Sequence, residues 1–125
     1  MRALTAALTG LICFSTSCMA EIGDGKWFVD ACSTSALKKV EQASKEKYLS
    51  QLGSCNAFVM GIIQGHHATR ASYKQPPTFC PPKSTTNFEM TAAVVAMVEA
   101  QPSRQNLFVA TLAIEGLRAL FPCSK

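Results

Sequence analysis

Apolar residues recur at the spacing of α-helices along most of the chain, and no stretch shows the sustained apolar–polar alternation that predicts strands. Asp24 can cap a first short helix over Gly25–Cys32. The following residues, 33–52, mix lysine and glutamate with apolar positions and are predicted to be helical in part, with a break near Ser50–Gly53. The pattern therefore predicts an all-α fold, a small bundle of four to five helices.

The stretch CNAFVMGIIQGHHATR, residues 55–70, predicts an amphipathic helix that continues to Tyr73. One face would pack against the rest of the protein, and a flank of small side chains would let another helix approach closely. The predicted packing face consists of Cys55, Phe58, Val59, Ile62, His66, Thr69 and Tyr73. The small flank consists of Ala57, Gly61, Gly65, Ala68 and Ser72.

The segment KQPPTFCPPKS that follows cannot be helical, because four prolines in seven residues remove backbone donors and restrict backbone angles. Thr86 and Glu89 match a capping box at the start of the next predicted helix, 87–100. That helix is apolar around most of its circumference, which predicts either deep burial or a shared interface. Pro102 interrupts the pattern, and Ser103–Leu120 is predicted as the last helix.

The first twenty residues, MRALTAALTGLICFSTSCMA, have an early arginine, a short apolar stretch and small residues near the end. This is the pattern of a signal peptide, with cleavage after Ala20. The remaining residues, 21–125, then form a single helical domain, and the protein is exported. A lipid anchor at Cys18 is the alternative, although Ser15 occupies a position where a lipobox favours a branched apolar residue.

Export leaves four cysteines in the mature chain, and an even number in a small exported domain predicts two disulfides. Three connectivities are possible. We favour Cys32–Cys55 and Cys80–Cys123, which pair neighbours in the chain and would cross-link the front and rear halves separately.

Composition and charge argue against a disordered chain and against nucleic-acid binding. Hydrophobic residues make up 48% of the 125 residues and charged residues 16%, which is typical of a chain that forms a core. The net charge of +4 is mild, and the lysines alternate with glutamates rather than with aromatic residues. A nucleic-acid partner is therefore not expected, and neither is a membrane partner once the signal peptide has been removed.

The doubled histidine, His66 and His67, is the main candidate for chemistry. Adjacent residues on a helix point about 100° apart, so two neighbouring imidazoles do not chelate one metal ion from a helix face. We expect His66 to be a partly buried packing residue and His67 to be exposed. Cys55 lies three turns from His66, too far for a cysteine–histidine pair. No patterned carboxylate pair, phosphate-binding loop or nucleophile elbow occurs, so we expect no enzyme, metal or cofactor.

The link between the last two predicted helices is the candidate surface for a protein partner. It is short, polar and held at both ends, as a probe for another protein's cleft would be, and an aromatic residue lies close behind it. The alternatives are that the link is only a connector and that Phe108 is a peripheral residue of the core. The candidate contact residues are Gln101, Ser103, Arg104, Gln105, Asn106 and Phe108.

Four motifs in order resemble the Rap/Tai-type immunity proteins of bacterial type VI secretion systems. CNAFVMG (Cys55–Gly61) is similar to the family's Cys-x-Gly/Ala-aromatic-Ile/Val-x-Gly, and FCPP (Phe79–Pro82) is similar to its Phe-Cys-x-Pro. FPC (Phe121–Cys123) resembles its C-terminal signature, and the link near Pro102 falls where the family has one. Two departures are the Ala-Phe-Val that replaces the usual Gly-Tyr-Ile, and Cys32, which lies in none of these motifs.

The resemblance implies a disulfide-containing, all-helical periplasmic protein, often a dimer, that neutralises peptidoglycan amidase toxins by blocking the amidase cleft with a loop and helix surface. The expected function is therefore a periplasmic immunity protein whose partner is a cognate amidase effector, with a homodimer as a possible assembly. A periplasmic chaperone that exposes the apolar helix 87–100 to unfolded clients is the alternative. An enzyme that uses the doubled histidine is a third possibility.

Overall fold

The computed structural model describes residues 23–124, most of which lie in helices. A short 3-10 turn, Pro102–Arg104, lies between the last two helices. None of the helices in this range is long and apolar enough to cross a membrane. The five α-helices are Gly25–Cys32 (α1), Thr34–Ala43 (α2), Lys45–Ser72 (α3), Asn87–Glu99 (α4) and Val109–Leu120 (α5).

The predicted all-α bundle is confirmed, and so are two of its helix starts. The Asp24 carboxylate accepts a hydrogen bond from the Trp27 backbone N–H at 2.8 Å and begins α1. At the start of α4 the Thr86 hydroxyl accepts from the Glu89 backbone N–H at 3.2 Å, and the Glu89 carboxylate accepts from the Thr86 N–H at 2.6 Å. These bonds from Thr86 lower the pKa of Glu89. Both starts depend on local side-chain chemistry, which a sequence displays directly.

The predicted break near Ser50–Gly53 is wrong, because the chain breaks instead at Ser44. That residue has an extended backbone (φ −165°), and its hydroxyl accepts from the Lys47 N–H at 3.3 Å, which starts α3. Gly53 remains inside α3, on an exposed face. A glycine in a helix interior costs only about 1 kcal/mol relative to alanine, so it does not by itself end a long helix.

The last helix begins six residues later than predicted, at Val109 rather than Ser103. Residues 105–107 instead turn and lead into a bridge at Phe108, because the chain just before and within α1 supplies backbone partners. Leu107 C=O accepts from the Gly25 N–H at 2.9 Å, and the Val109 N–H donates to Gly23 C=O at 3.3 Å. Residues 103–108 are therefore not part of α5, because the end of this segment pairs with residues 23–25, which are distant in sequence.

α4 lies at the centre of the core and packs against α1, α3 and α5. Deep burial, one of the two outcomes expected for this apolar helix, is what the structure shows. Its inner side meets side chains of the other three helices, and Met97 fills the space that a Cβ at Gly116 of α5 would need. The fully buried side chains of the core include Phe28, Val59, Val94, Val98, Val109, Leu112 and Leu117.

Both disulfides that the sequence favoured are present. Cys32–Cys55 joins the end of α1 to the middle of α3, with both residues buried. Cys80–Cys123 joins the proline-rich segment between α3 and α4 to the C-terminal end of the chain. Cys80 is exposed and Cys123 half-buried, so the second bridge lies at the surface.

Candidate partner-binding site

The loop 101–108 between α4 and α5 is held against α1 by main-chain hydrogen bonds. Besides the two bonds described above, the Lys26 N–H donates to Gln105 C=O at 2.9 Å. Asp24 and Phe108 pair as an isolated antiparallel bridge. A loop fixed at several points along its backbone loses little conformational entropy when it meets a partner, so this loop is preorganised for binding.

Three of the six predicted contact residues have side chains that are occupied within the protein. The Gln101 amide donates to Met97 C=O at 3.2 Å, and the Gln105 amide donates to Val98 C=O at 3.0 Å. The Arg104 guanidinium donates to Gln101 at 2.9 Å and forms an ion pair with Glu115 at 2.6 Å. These three residues therefore hold the shape of the loop.

The other three, Ser103, Asn106 and Phe108, are exposed on the outer side of the loop. Phe108 is 62% exposed and occupies the N-cap position of α5, where its extended backbone directs the chain into the bridge with Asp24. Leu107 is also exposed and was missed, although an apolar residue beside Phe108 in a non-helical link was a visible signal. The outer side of the loop thus combines an aromatic, an aliphatic and two small polar side chains.

The doubled histidine holds the proline-rich segment in place. Phe79 of that segment is 1% exposed, and its ring centroid lies 5.7 Å from that of His66 and 4.8 Å from that of His67. The His66 Nε2 is hydrogen-bonded to the Thr78 hydroxyl at 2.7 Å. The prediction that His66 is partly buried is confirmed. The prediction that His67 is exposed is wrong, because its ring packs on Phe79 and its Nε2 is buried without a hydrogen-bond partner.

The described part of the chain presents little else that resembles a reaction centre. Within residues 23–124, no three histidine, cysteine or acidic side chains come together as metal ligands would. The four cysteines of this range are all in disulfides.

Mild acid should destabilise the protein through His66. Burial lowers the pKa of His66 below its usual 6.5, and the charges of Arg70 and Arg118, together with the proton that His67 can bind, lower it further. Because the unfolded chain binds this proton more readily, the stabilising contribution is complete above about pH 6.5 and is lost as the pH falls through the lower folded-state pKa. We expect the urea midpoint of the wild type to fall between pH 7.5 and pH 5, and a His66→Gln variant to show a flatter profile. Equal slopes for the two proteins would contradict this account.

A family model described as Rap1a immunity proteins matches residues 24–123, which is nearly all of the described chain. No match was found among curated proteins or among solved structures.

Proposed function

The chain belongs to the Rap1a immunity protein family, and we propose that it is a periplasmic immunity protein that binds a peptidoglycan amidase effector of a type VI secretion system and occludes its active-site cleft. The observation that carries the proposal is the loop 101–108, which has a fixed backbone and an exposed outer side. A rigid projecting loop suits the filling of an enzyme cleft, because the enzyme need not order it on binding.

Phe108 is the side chain on which we expect the binding energy to concentrate. Aromatic residues at the centre of an interface often contribute more than their share, since they bury a large apolar area with little loss of side-chain freedom. The Arg104–Glu115 ion pair beside the loop leaves no isolated charge on Arg104 to be desolvated when a partner covers it. In this proposal Asn106 and Ser103 contribute polar contacts around the aromatic side chain.

The proposed location is supported by the sulfur chemistry of the chain. Disulfides persist in oxidising compartments such as the periplasm and are rare in the cytosol, and this small domain has two. The predicted signal peptide, residues 1–20, and the alternative lipid anchor at Cys18 lie outside the described residues. Export to the periplasm is therefore part of the proposal.

The chaperone alternative loses the observation that favoured it. The apolar circumference of α4 was its proposed client-binding surface, but Met90, Val94, Val95 and Val98 of that helix are buried in the core. Of the larger apolar side chains on α4, Phe88 remains exposed. An apolar helix that is used for folding does not also supply a broad surface for unfolded clients.

A homodimer, which the resemblance to the family implies, belongs to the same proposal, and we place it on α3. Residues 48–69 contain no acidic residue, lysine or arginine, and the predicted small flank is exposed, with open space around Gly61 and Gly65. Two copies of this face could approach closely without burying a charge. We expect an Ala57→Glu variant to sediment as a monomer under conditions where the wild type is dimeric. A dimer that survives this change would place the interface elsewhere.

The function is tested with the amidase effector encoded beside the gene. We expect the mature protein to co-purify with this amidase and to abolish its cleavage of peptidoglycan, and Phe108→Ala to weaken binding by about 2 kcal/mol, or about 30-fold. Phe88→Ala is the matched control, because Phe88 is comparably exposed, at 57%, but lies on α4 away from the loop. Undiminished amidase activity in the presence of excess wild-type protein would refute the proposed function. Equal binding by Phe108→Ala and wild type would refute only the role of the loop.

A further inference from the structure

A cleft of 430 Å³ opens between α1, α2 and α3. Its apolar lining includes Trp27, Ala31, Val40 and Phe58, together with the Cys32–Cys55 disulfide. The volume lies within the range of about 300–1,000 Å³ that is usual for ligand pockets. Nothing in the loop-centred function described above uses this cleft.

The walls of the cleft are fixed. Trp27 is 50% exposed, yet its ring packs edge-on against Phe58 with centroids 5.5 Å apart. The backbone at Gly23 lies so close to the six-membered ring of the indole that a Cβ there would overlap it. Across the cleft, the Gln51 amide of α3 donates to Ala31 C=O of α1 at 2.8 Å. An exposed tryptophan that is already immobilised can bury its area against a partner with little further loss of entropy.

The cleft and the loop 101–108 are both attached to α1: Trp27 lines the cleft, and the backbone of Gly25 and Lys26 binds the loop. The backbone N–H of Trp27 donates to the Asp24 carboxylate, and Asp24 forms the isolated antiparallel bridge with Phe108. Trp27 therefore lies one helical turn from the residue that positions Phe108. The two exposed aromatic side chains are therefore both attached to the start of α1, Trp27 directly and Phe108 through the bridge to Asp24.

Lys47 is the one charged residue among those that line the cleft. Within residues 23–124 the ion pairs are Lys26–Asp30 and Arg104–Glu115, so Lys47 has no ion-pair partner there. An apolar cleft with a single cation is complementary to an apolar group that has a carboxylate beside it.

We propose that this cleft is a second docking point for the amidase effector, filled by a projecting aromatic or branched aliphatic side chain of the effector, with an acidic side chain beside it that pairs with Lys47. This inference rests on the proposed function and extends the contact surface from the loop to α1, α2 and α3. Insertion of an apolar side chain into a preformed pocket is the arrangement in which interface energy concentrates.

The proposal is tested with one substitution that fills the cleft and one that reverses the charge of Lys47. Ser54 lies at the cleft on the exposed side of α3, so Ser54→Tyr blocks the cleft without removing a core side chain. We expect Ser54→Tyr to weaken effector binding about 30-fold and Lys47→Glu about 10-fold, as measured by calorimetry. Lys38→Glu is the matched control, because it makes the same charge change at an exposed position of α2 that does not line the cleft, and it should bind within about twofold of wild type. Urea midpoints equal to that of the wild type would show that the variants are folded.

Trp27 supplies an independent readout, since it is the only tryptophan in the chain. Labelled with 5-fluorotryptophan, the protein gives a single fluorine resonance, which should shift when the purified effector saturates it. Effector binding that moves neither this resonance nor the affinities of Ser54→Tyr and Lys47→Glu would overturn the cleft assignment and leave the proposed function standing. A wild-type protein that neither binds nor inhibits the amidase would overturn both. A resonance that shifts with protein concentration alone, or with sodium dodecanoate but not with effector, would assign the cleft to a second copy or to a free amphiphile and overturn the inference.

Discussion

Replacing Phe79 by alanine should destabilise the protein by about 4 kcal/mol, although Phe79 lies in a proline-rich segment with no regular structure. The side chain is 1% exposed and packs against the rings of both His66 and His67. Truncation removes a large buried apolar area and leaves a cavity that the two imidazoles, fixed on α3, cannot close. The effect should therefore match that of a core residue in a helix.

The measurement is urea unfolding of the oxidised protein, followed by far-ultraviolet circular dichroism. Tyr73→Ala provides the control. Tyr73 is an aromatic residue at the C-terminal end of α3, the helix that carries the two histidines, but it is 74% exposed, so its loss should cost less than about 1 kcal/mol. A destabilisation below about 1.5 kcal/mol for Phe79→Ala would show that the segment is held in place by the disulfide and the backbone rather than by this side chain.

The backbone contacts of the segment indicate why the side chain should matter. The Cys80 N–H donates to Phe121 C=O at 2.8 Å, and the Arg70 guanidinium donates to Pro76 C=O at 2.6 Å. The prolines of this segment have no N–H to donate, so few further backbone bonds are available to it. Burial of Phe79 is therefore the main apolar contribution that fixes this segment against α3.

The parts of the fold that the sequence predicted well are those controlled by neighbouring residues. The cap at Asp24 and the capping box at Thr86 and Glu89 act over three residues, so their side chains identify the helix starts directly. The start of α5 was misplaced because it depends on pairing between Phe108 and Asp24, which are far apart in the chain. No local pattern contains that information.

The packing face of α3 was predicted in part, for a related reason. Cys55 and Val59 are buried as expected, but Ile63 is buried and was missed. Thr69 and Tyr73 were assigned to the packing face and are exposed. α3 is long and packs against α1, α2, α4 and α5. A single periodic face cannot describe a helix whose neighbours change along its length. The contact of His67 with Phe79 was likewise invisible in the sequence.

In the candidate site, too, the sequence predicted local features and missed those that depend on contacts between distant residues. The sequence placed a short link between two helices and selected the residues around Phe108. It could not distinguish Gln101, Arg104 and Gln105, whose side chains turn inward to carbonyl groups and to Glu115, from the residues that face outward. The cleft beside Trp27 is formed by three helices and a disulfide, so it appears only when the chain is folded.

Removal of both disulfides should unfold the protein at 37 °C. On the chain-entropy model, the Cys32–Cys55 bridge contributes about 3.5 kcal/mol and the Cys80–Cys123 bridge about 4 kcal/mol, as upper values. Their sum of about 7.5 kcal/mol is comparable to the whole stability of a small domain, which is about 5–15 kcal/mol. A variant in which all four cysteines are alanine should therefore lose its helical circular dichroism at 37 °C, whereas each variant that lacks one bridge should remain folded with a lower urea midpoint.

The two bridges should also differ in the order of their reduction. Cys32 and Cys55 are buried between α1 and α3, whereas Cys80 is exposed, so a thiolate can attack the second bridge without unfolding the protein. We expect dilute dithiothreitol followed by alkylation and mass spectrometry to label Cys80 and Cys123 first, while Trp27 fluorescence remains native. Labelling of Cys32 and Cys55 should appear only with the loss of that fluorescence. Their bridge lines the cleft, but both residues are at most 5% exposed, so a thiolate can attack along the S–S axis only when α1 separates from α3. Simultaneous labelling of all four cysteines in the native protein would mean that α1 opens readily, and the rigid cleft and the loop that depends on α1 would lose their physical basis.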